Sequence, residues 1–293
     1  MEIKKLEKEK YPYLLKQTTG LPERMDIIGS LPSDDNKFLC IIGSRTHSTY
    51  GAEACEQLIA GLKGYPIVIV SGMAIGIDSL VHETALKYGI TTISFPGSGL
   101  SPHVLYPPSH TKLARRIVDS GGALISRFPV YQPGDYWTFP ARNRLMAGVS
   151  QATLIIEGRR GSGTLGTAEY VIEFNRDLMI VPGSIFSDLS YGPHLLYKQG
   201  ATPVTSSLDI LRVLGFDVGP DKDRVSMSQD RLNSFEPLPR QIIESVTNGI
   251  VLKDEIARAL DVPIHELNAH LSMLEIDRVV QIDGDKVRLA QHT

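Results

Sequence analysis

The sequence has few cysteines and no long apolar run. Among its 293 residues only Cys40 and Cys55 are cysteines, one in a predicted strand and one in a predicted helix. This usage excludes a disulfide framework and a cysteine-rich metal site, and it favours small buried hydrophobic side chains. No apolar stretch approaches the ~20 residues that a membrane span needs, and no secretory signal is visible at the N-terminus. We therefore expect a soluble, cytoplasmic protein.

The sequence also lacks an excess of positive charge. Its formal net charge is −3, which on its face argues against a polyanionic partner. The charge is unevenly distributed, because residues 226–293 contain seven Lys or Arg and eleven Asp or Glu, a net of −4, which leaves +1 for the remainder. Between residues 127 and 163, five arginines face only Asp135 and Glu157. Positive charge is therefore concentrated in one segment.

Short runs rich in β-branched residues alternate with stretches of helical spacing. Continuous apolar strands separated by helices are typical of a parallel sheet that is covered on both faces. We therefore predict an α/β fold with a Rossmann-like, mainly parallel sheet and helices on both faces. The predicted strands are 38–44, 66–72, 90–97, 122–126, 152–157 and 178–183, and the predicted crossover helices are 50–63, 76–88, 109–119, 164–176 and 207–214.

The length suits one large domain and one small domain. We predict an N-terminal segment at 1–36, a Rossmann-like domain at 37–215 and a polar linker punctuated by Gly and Pro at 216–233. Residues 234–293 contain three short amphipathic stretches followed by two β-type runs around a Gly turn. Three helices and a hairpin of this size predict a small winged-helix domain.

Glycine or serine follows four of the predicted strands. Glycine allows close backbone approach, and a following helix presents unpaired N–H groups to an anion. Since ligands bind at the carboxyl ends of such strands, we predict a phosphate-binding rim there, although each turn taken alone is explained equally well by the steric needs of tight turns. Neither a dinucleotide fingerprint nor a P-loop is present, so no NAD or ATP cofactor is predicted. The rim residues are Gly43, Ser44, Arg45, Ser71, Gly72, Met73, Ala74, Gly97, Ser98, Gly99, Ser162, Gly163 and Thr164.

The segment FPARNR follows the fourth predicted strand, so its helix should start near the same rim. Arginine makes bidentate phosphate contacts, and an exposed aromatic ring or a guanidinium can stack on an unpaired base. This combination is typical of grooves that bind single-stranded nucleic acid. The alternative makes the aromatic residues core or interface side chains and leaves the arginines in solvent. The side chains assigned to the site are Phe139, Arg142, Asn143 and Arg144.

Two other patterns suggest chemistry and are given structural interpretations. Asp78 and His82 are four residues apart on a predicted helix, and we interpret them as a cap and a local hydrogen bond rather than as an acid/base pair. The histidines at 103, 110 and 194 lack ligand spacing with one another and with the cysteines, so no metal is predicted.

At these residues the sequence resembles the DNA processing protein A family, also called DprA or Smf. The order and spacing of the blocks make the resemblance specific. The matching blocks are IIGSR (41–45), SGMAIGID (71–78) with a following histidine, GSG (97–99), YPP (106–108), FPARNR (139–144), SGTLGTAE (162–169) and VPGS (181–184).

The resemblance implies a Rossmann-like domain that binds single-stranded DNA and forms a homodimer. It also implies that the protein protects incoming single-stranded DNA and loads the RecA recombinase onto it during natural transformation, without catalysis. By motif matching, Arg45, the SGMA turn, the GSG loop, FPARNR and the SGT turn would line the DNA pocket. No metal, cofactor or membrane is implied.

Two positions depart from the family pattern. Ile75 stands where the family often has a basic residue, which removes a phosphate contact. Arg127 stands where an acidic residue is common, which adds positive charge nearby. The short N-terminal segment leaves little room for the helical extension that some members carry, so its role is not transferred.

The C-terminal module resembles the winged-helix domain of many family members. A winged helix can place a recognition helix in the major groove of duplex DNA. The stretch PIHELNAHLSMLEI contains no Lys or Arg, however, so it would neutralise few phosphates. We expect a protein contact or a weak accessory role for this module.

The main alternative is an enzyme, a nucleotide phosphoribohydrolase of the lysine-decarboxylase-like family. That family shares a similar core and a GGxGTxxE turn, and here the carboxylate of that turn would fall at Thr167 or Tyr170. Glu169 is out of register with both. A transcription factor that uses the wing is disfavoured by the acidic module and by the size of the first domain.

Overall fold

A computed structural model describes residues 2–218, 235–277 and 279–289 of the chain. The chain divides into two compact units, residues 1–219 and 220–293. Most of the predicted linker at 216–233 lies outside the described residues. The predicted domain bounds therefore remain predictions.

The first unit contains one large, mostly parallel sheet. Its strands are β1 (Lys4–Glu7), β2 (Arg24–Gly29), β3 (Lys37–Ile42), β4 (Ile67–Ser71), β5 (Thr92–Ser94), β6 (Ala123–Ser126), β7 (Ala152–Ile155), β8 (Asp177–Ile180) and β9 (Thr202–Pro203). They lie in the order β1-β2-β6-β5-β4-β3-β7-β8-β9, and every neighbouring pair from β6 to β9 is parallel. All six predicted strands are present, and the mainly parallel α/β fold is confirmed.

Helices cover both faces of this sheet. Along β3, Phe38, Cys40 and Ile42 belong to one buried cluster. Leu39 and Ile41 belong to another, on the opposite face. This alternation buries the strand on both sides, which explains its continuous apolar sequence. The helices are α1 (Tyr13–Lys16), α2 (Thr49–Ala60), α3 (Ile77–Tyr88), α4 (Thr111–Asp119), α5 (Thr138–Val149), α6 (Gly163–Glu173), α7 (Tyr191–Lys198) and α8 (Ser207–Val213).

The N-terminal segment adds two strands that the sequence did not predict. β1 pairs antiparallel with β2, and β2 pairs antiparallel with β6, so the segment extends the edge of the sheet. Leu6 is the one buried residue of β1. A single buried side chain among charged neighbours gives no clear alternation, which explains why β1 escaped detection.

The second unit contains three helices and a hairpin. The helices are α9 (Pro237–Thr247), α10 (Lys253–Leu260) and α11 (Ile264–Ile276), and β10 (Val280–Asp283) pairs antiparallel with β11 (Lys286–Leu289). Gly284 turns the hairpin with a φ of 58°, a conformation that suits glycine. The elements match those predicted for this region, and their assignment as a winged-helix domain stays a prediction. None of the helices in the described ranges has the length and apolarity to cross a bilayer.

Candidate functional site

A cleft of about 1000 Å³ lies at the carboxyl ends of the central strands. β3 pairs with β4 on one side and with β7 on the other, so the order of the strands reverses at β3. A topological switch point of this kind is where open α/β sheets bind ligands. The cleft wall combines the loop after β3 (43–46), the loop after β7 (159–162), and residues from the starts of α5 and α6.

Ten of the seventeen predicted site residues line this cleft. The structure therefore brings together segments that are distant in the sequence, as the predicted rim requires. Their contacts with a ligand stay predictions. The ten are Gly43, Ser44, Arg45, Ala74, Phe139, Arg142, Asn143, Ser162, Gly163 and Thr164.

Three residues of the SGMA turn do not line the cleft. Ser71, Gly72 and Met73 are all buried. Ser71 Oγ donates a hydrogen bond to the carbonyl oxygen of Ile41 at 2.7 Å. The carbonyl oxygen of Met73 lies 2.9 Å from Nδ1 of His110. These residues shape the turn, and of the four residues 71–74 Ala74 alone reaches the cleft wall.

The GSG loop also lies behind the cleft wall. Gly97, Ser98 and Gly99 are buried. A Cβ on Gly97 would lie 2.4 Å from Cδ1 of Phe139, so glycine is needed for this ring to pack. The carbonyl oxygen of Ser98 accepts a hydrogen bond from Ser126 Oγ at 2.7 Å. The loop therefore supports a cleft residue instead of lining the cleft itself.

Arg144 is engaged away from the cleft. Its guanidinium donates to both carboxylate oxygens of Glu173, at 2.8 and 2.6 Å, and to Thr19 Oγ1 at 2.8 Å. It also lies 4.7 Å from the ring centre of Phe174 and 5.2 Å from that of Tyr170. Arg144 thus joins the N-terminal segment to α5 and α6, and its predicted contact with DNA stays a prediction.

Arg142 forms the floor of the cleft. Its side chain is 5% exposed, and Nη1 lies 3.8 Å from Asp78 Oδ2 and 3.6 Å from Met146 Sδ. Within the described residues, the buried Nε–H has no acceptor. Burial lowers the pKa of Arg142 while Asp78 opposes that change, and burial raises the pKa of Asp78 while Arg142 opposes it. The alternative that both arginines lie in solvent is therefore wrong for Arg142.

The helix N-termini next to the cleft differ in whether their backbone N–H groups already have side-chain acceptors. The carboxylate of Glu157 accepts hydrogen bonds from the backbone N–H of Ser48, at 3.0 Å, and from its hydroxyl, so the start of α2 is already satisfied. α6 begins at Gly163 with no acidic residue in its first turn and no side-chain cap. The N–H of Leu165 donates to the carbonyl oxygen of the cap residue Ser162 at 3.1 Å, and the N–H groups of Gly163 and Thr164 precede this first bond of the helix, which makes them donors for an anion.

Several cleft residues were missed by the sequence prediction. They include Tyr106, Tyr136, Arg159, Arg160 and Glu169. The local cluster of arginines and the aromatic run before FPARNR are the signals that could have found three of them, Tyr136, Arg159 and Arg160. Both Arg159 and Arg160 are exposed. The wall as a whole contains four guanidinium groups and three carboxylates, because Asp78, Asp135 and Glu169 also line it.

Aromatic rings and guanidinium groups stack in the cleft. Arg45 lies 5.3 Å from the ring centre of Phe139, and this ring lies 5.7 Å from that of Tyr106. Arg160 also lines the cleft, and it lies 5.7 Å from the ring centre of Tyr191, which is outside the cleft wall. The Arg45, Phe139 and Tyr106 side chains line the same space as the first residues of α6, so the cleft can bind both phosphates and planar rings.

The two departures from the family pattern lie outside the cleft wall. Ile75 is 54% exposed beside Ala74. Arg127 is half-buried, and its Nη1 lies 3.5 Å from the carbonyl oxygen of Ala141. The expected addition of positive charge by Arg127 therefore does not reach the wall directly.

Asp78 and His82 have separate partners. The backbone N–H of Ala74 donates to Asp78 Oδ2 at 3.4 Å, which orders the turn before α3. Nδ1 of His82 lies 2.7 Å from Thr92 Oγ1 in the core. The structural interpretation fits Asp78, whereas the hydrogen bond of His82 runs to β5, so the expectation that it lies within the helix is wrong. No three His, Cys, Asp or Glu side chains gather as a metal site requires in the part of the chain that the structure describes.

The fold and the site define a Rossmann-like α/β protein with an arginine-containing cleft at its topological switch point. The sequence profile of the family described as DNA recombination-mediator protein A matches residues 2–215, nearly the whole first unit. The chain belongs to that family.

Similar proteins occur in several bacteria. Protein Smf of Escherichia coli (strain K12) is 34% identical over 285 residues, which cover 96% of this chain and 75% of that protein. DNA processing protein DprA of Streptococcus pneumoniae is 37% identical over 206 residues, covering 70% and 72%. The X-ray structure of Streptococcus pneumoniae DprA matches with a TM-score of 0.68 at 34% identity, over 75% of this chain and 76% of that one. Helicobacter pylori DNA processing protein A, whose structure concerns its single-stranded DNA binding mode, has the same fold with a TM-score of 0.65 at 24% identity, over 73% and 96%.

Proposed function

We propose that this chain binds single-stranded DNA in the cleft at the switch point, protects it, and loads the RecA recombinase onto it. The protein acts by binding and not by catalysis. Its membership of a family of recombination mediators supports this function. The single-stranded DNA binding mode described for the Helicobacter pylori relative supports the choice of ligand.

The buried guanidinium of Arg142 is the observation that carries this proposal. An N–H group that is buried without an acceptor is costly, and native proteins rarely retain one without a reason. This N–H belongs to a side chain that lines the cleft, as do the first residues of α6. A phosphate in the cleft would be attracted by this guanidinium charge and would interact favourably with the helix dipole.

The other cleft residues favour a single strand over a duplex. Tyr106, Tyr136 and Phe139 lie in the wall together with Arg45. Stacking on such rings requires the faces of unpaired bases, which a duplex does not expose. The wall has almost as many carboxylates as guanidinium groups, so arranged donors and stacking must supply the affinity instead of a large net charge.

A titration of labelled single-stranded and duplex oligonucleotides at two salt concentrations tests the proposal. We expect tighter binding of the single strand and an affinity that falls as salt rises. Arg45→Ala should weaken binding several-fold and reduce the slope of log K against log salt by about 0.7, the value for one single-strand phosphate contact. Arg115→Ala is the matched control, because Arg115 is an exposed arginine of α4 outside the cleft. Equal affinity for the two DNA forms, or no salt slope, contradicts the proposal.

We also propose that the chain forms a homodimer and loads RecA. The family resemblance supports them, and no surface is assigned to either. Light scattering after gel filtration measures the mass of the particle and tests the homodimer. Loading is tested by the rate at which RecA forms filaments on single-stranded DNA coated with a single-strand binding protein. Addition of this protein should shorten the lag, and an unchanged lag contradicts loading.

We propose that the C-terminal unit is a winged-helix domain that contacts protein or plays an accessory part in DNA binding. α11 contains no Lys or Arg, while Ile264, Met273 and Ile276 on this helix are exposed. This surface suits a protein contact better than the phosphates of a duplex. Replacement of Met273 and Ile276 by serine should leave the affinity for duplex DNA unchanged, and a large loss would show direct DNA binding.

The position of Glu169 favours one alternative function, that of a nucleotide phosphoribohydrolase. This carboxylate is exposed and lines the cleft, where a nucleotide phosphoribohydrolase would need an acidic group. Incubation with nucleoside monophosphates, followed by chromatography of free base, separates the two functions. We expect no release of base by the natural chain or by Glu169→Gln. Release that Glu169→Gln abolishes would make the chain an enzyme.

A further inference from the structure

Exposed aromatic side chains cluster in the loop between β6 and α5. We call residues 129–137 the aromatic loop. Tyr131 is 72% exposed, Tyr136 83% and Trp137 47%. Each large aromatic ring left in water forgoes a substantial hydrophobic gain, and groups of them commonly mark a binding surface. The cleft itself accounts for only one of the three, Tyr136.

The aromatic loop is held firmly in place. The backbone N–H of Gly99 donates to the carbonyl oxygen of Gln132 at 2.8 Å, and Thr138 Oγ1 donates to the carbonyl oxygen of Gly97 at 2.5 Å. A Cβ on Gly99 would lie 2.2 Å from the carbonyl oxygen of Pro129, so glycine permits this close approach. The GSG block, which does not line the cleft, therefore serves to position the aromatic loop.

Trp137 is also anchored. Its ring packs edge-on against the buried Phe128, with ring centres 5.6 Å apart and an interplanar angle of 83°. The part of the indole that stays exposed is thus presented in a fixed orientation. A fixed ring loses little conformational entropy when a flat partner stacks on it, which makes it an efficient binding surface.

The aromatic loop is continuous with the cleft. Tyr136 lines the cleft, as do Gly134 and Asp135 of the same loop. A strand that leaves the cleft on this side must pass over the loop. Asp135 is the one charged residue between 129 and 137, so the loop offers no cation for a phosphate. Flat rings without cations suit bases.

We propose that the aromatic loop is a second, base-stacking subsite, on which unpaired bases of the same DNA strand stack as it leaves the cleft. This inference rests on the proposed function, because the cleft must first bind the strand. Phosphates are bound in the cleft by arginines and backbone N–H groups, while the aromatic loop binds the neighbouring bases. Stacking on a π-face is tolerant of sequence, so the subsite extends the site without adding a preference for particular bases.

Trp137 provides a direct readout in the full chain, because it is the single tryptophan of the sequence. Its fluorescence is recorded during titration with oligothymidylates of about 4, 8 and 16 nucleotides, a range that spans common single-strand site sizes. Longer oligomers should quench Trp137 at saturation more strongly than the shortest one. A duplex of matched length should not quench it, since its bases are paired.

The variant Tyr131→Ala tests the energetic role of the loop, because Tyr131 does not line the cleft. It should bind the longest oligomer about tenfold more weakly, the loss expected for one stacked base. Its affinity for the shortest oligomer should change far less. Tyr13→Ala is the matched control, because Tyr13 is 62% exposed on α1 and does not line the cleft. Far-ultraviolet circular dichroism confirms that the variants keep their fold.

The possible failures are distinguishable. If the natural chain binds all oligomers but Trp137 is not quenched and the Tyr131→Ala variant binds like the control, the subsite is refuted while the proposed function stands. The aromatic loop would then be a surface for a protein. If the natural chain binds no oligomer, both the proposed function and the subsite are refuted.

Discussion

Gly72→Ala should destabilise the first unit, although the backbone conformation of Gly72 is one that other residues can adopt. A Cβ at this position would lie 1.4 Å from Nη1 of Arg142 and 2.5 Å from Oδ2 of Asp78. Both side chains are buried, so the guanidinium has no free space beside it and must move towards the cleft. That movement separates the buried ion pair.

The magnitude follows from the two costs involved. Overpacking a buried site costs about 1–3 kcal/mol, and leaving one partner of a buried ion pair unpaired costs about 3–5 kcal/mol. The separation of Arg142 and Asp78 is already 3.8 Å, so their pairing is weaker than at contact distance. We expect the free energy of unfolding to fall by about 2–4 kcal/mol, between these limits.

Urea unfolding monitored by the fluorescence of Trp137 measures this change, since the single tryptophan reports on the first unit alone. Gly166→Ala is the matched control. Gly166 lies inside α6, and no atom of the described residues lies within 4 Å of an added Cβ, so this variant should be more stable by about 0.5–1 kcal/mol. The two glycine substitutions should therefore act in opposite directions.

A double-mutant cycle with Arg142→Ala identifies the cause. If Gly72→Ala acts by displacing the guanidinium, its cost should drop by at least about 1 kcal/mol in the Arg142→Ala background, where nothing is left to displace. A cost that is the same in both backgrounds, or a Gly72→Ala protein as stable as the natural chain, would refute the packing argument.

Three further predictions concern other parts of the first unit. Glu173→Ala removes a partner of Arg144 outside the cleft, so urea unfolding should show only the small loss of stability that an exposed ion pair gives, and DNA titration should show no change; a large loss of affinity would place Arg144 in the site. Ser206→Ala breaks the capping box with Asp209 at the start of α8, which should cost about 1 kcal/mol by the same urea assay, and an unchanged midpoint would contradict it. Burial lowers the pKa of His82 to about 3, from about 6.5 in the unfolded chain. Between these values the unfolded chain binds a proton that the folded chain does not. The free energy of unfolding therefore decreases as the pH falls, by up to about 1.4 kcal/mol per pH unit. His82→Gln should therefore lose less stability than the natural chain between pH 7 and pH 5, and equal losses would contradict the role of His82.

The sequence predicted the central sheet well because each inner strand is buried on both faces. β3 and β4 therefore carry unbroken apolar runs that end at glycine or serine. The strands at the two edges of the sheet have no such apolar run in their sequences. β1 has one buried residue, and β9 has two residues that are both exposed, so their pairing depends on the neighbouring strand and not on their own pattern.

The motifs located segments that line the cleft but could not assign every residue to its wall. Gly97 and Gly163 look alike in the sequence, yet a Cβ on Gly97 would meet Phe139, while none of the described atoms lies within 4 Å of a Cβ on Gly163. One glycine makes room for a side chain of the protein and the other leaves the helix start open. Only the packed structure distinguishes these two reasons for the absence of a Cβ.

Helix periodicity explains why FPARNR does not act as one unit. Arg142 and Arg144 are two residues apart on α5, and residues at this spacing point to nearly opposite sides of a helix. Arg142 accordingly reaches Asp78 beneath the cleft, while Arg144 reaches Glu173 on α6. One arginine of the block thus lines the cleft and the other fixes the helix that carries it. The net charge of −3 is compatible with a polyanionic ligand for the same reason, because a buried donor, an open helix start and exposed rings act through their placement and not through their number.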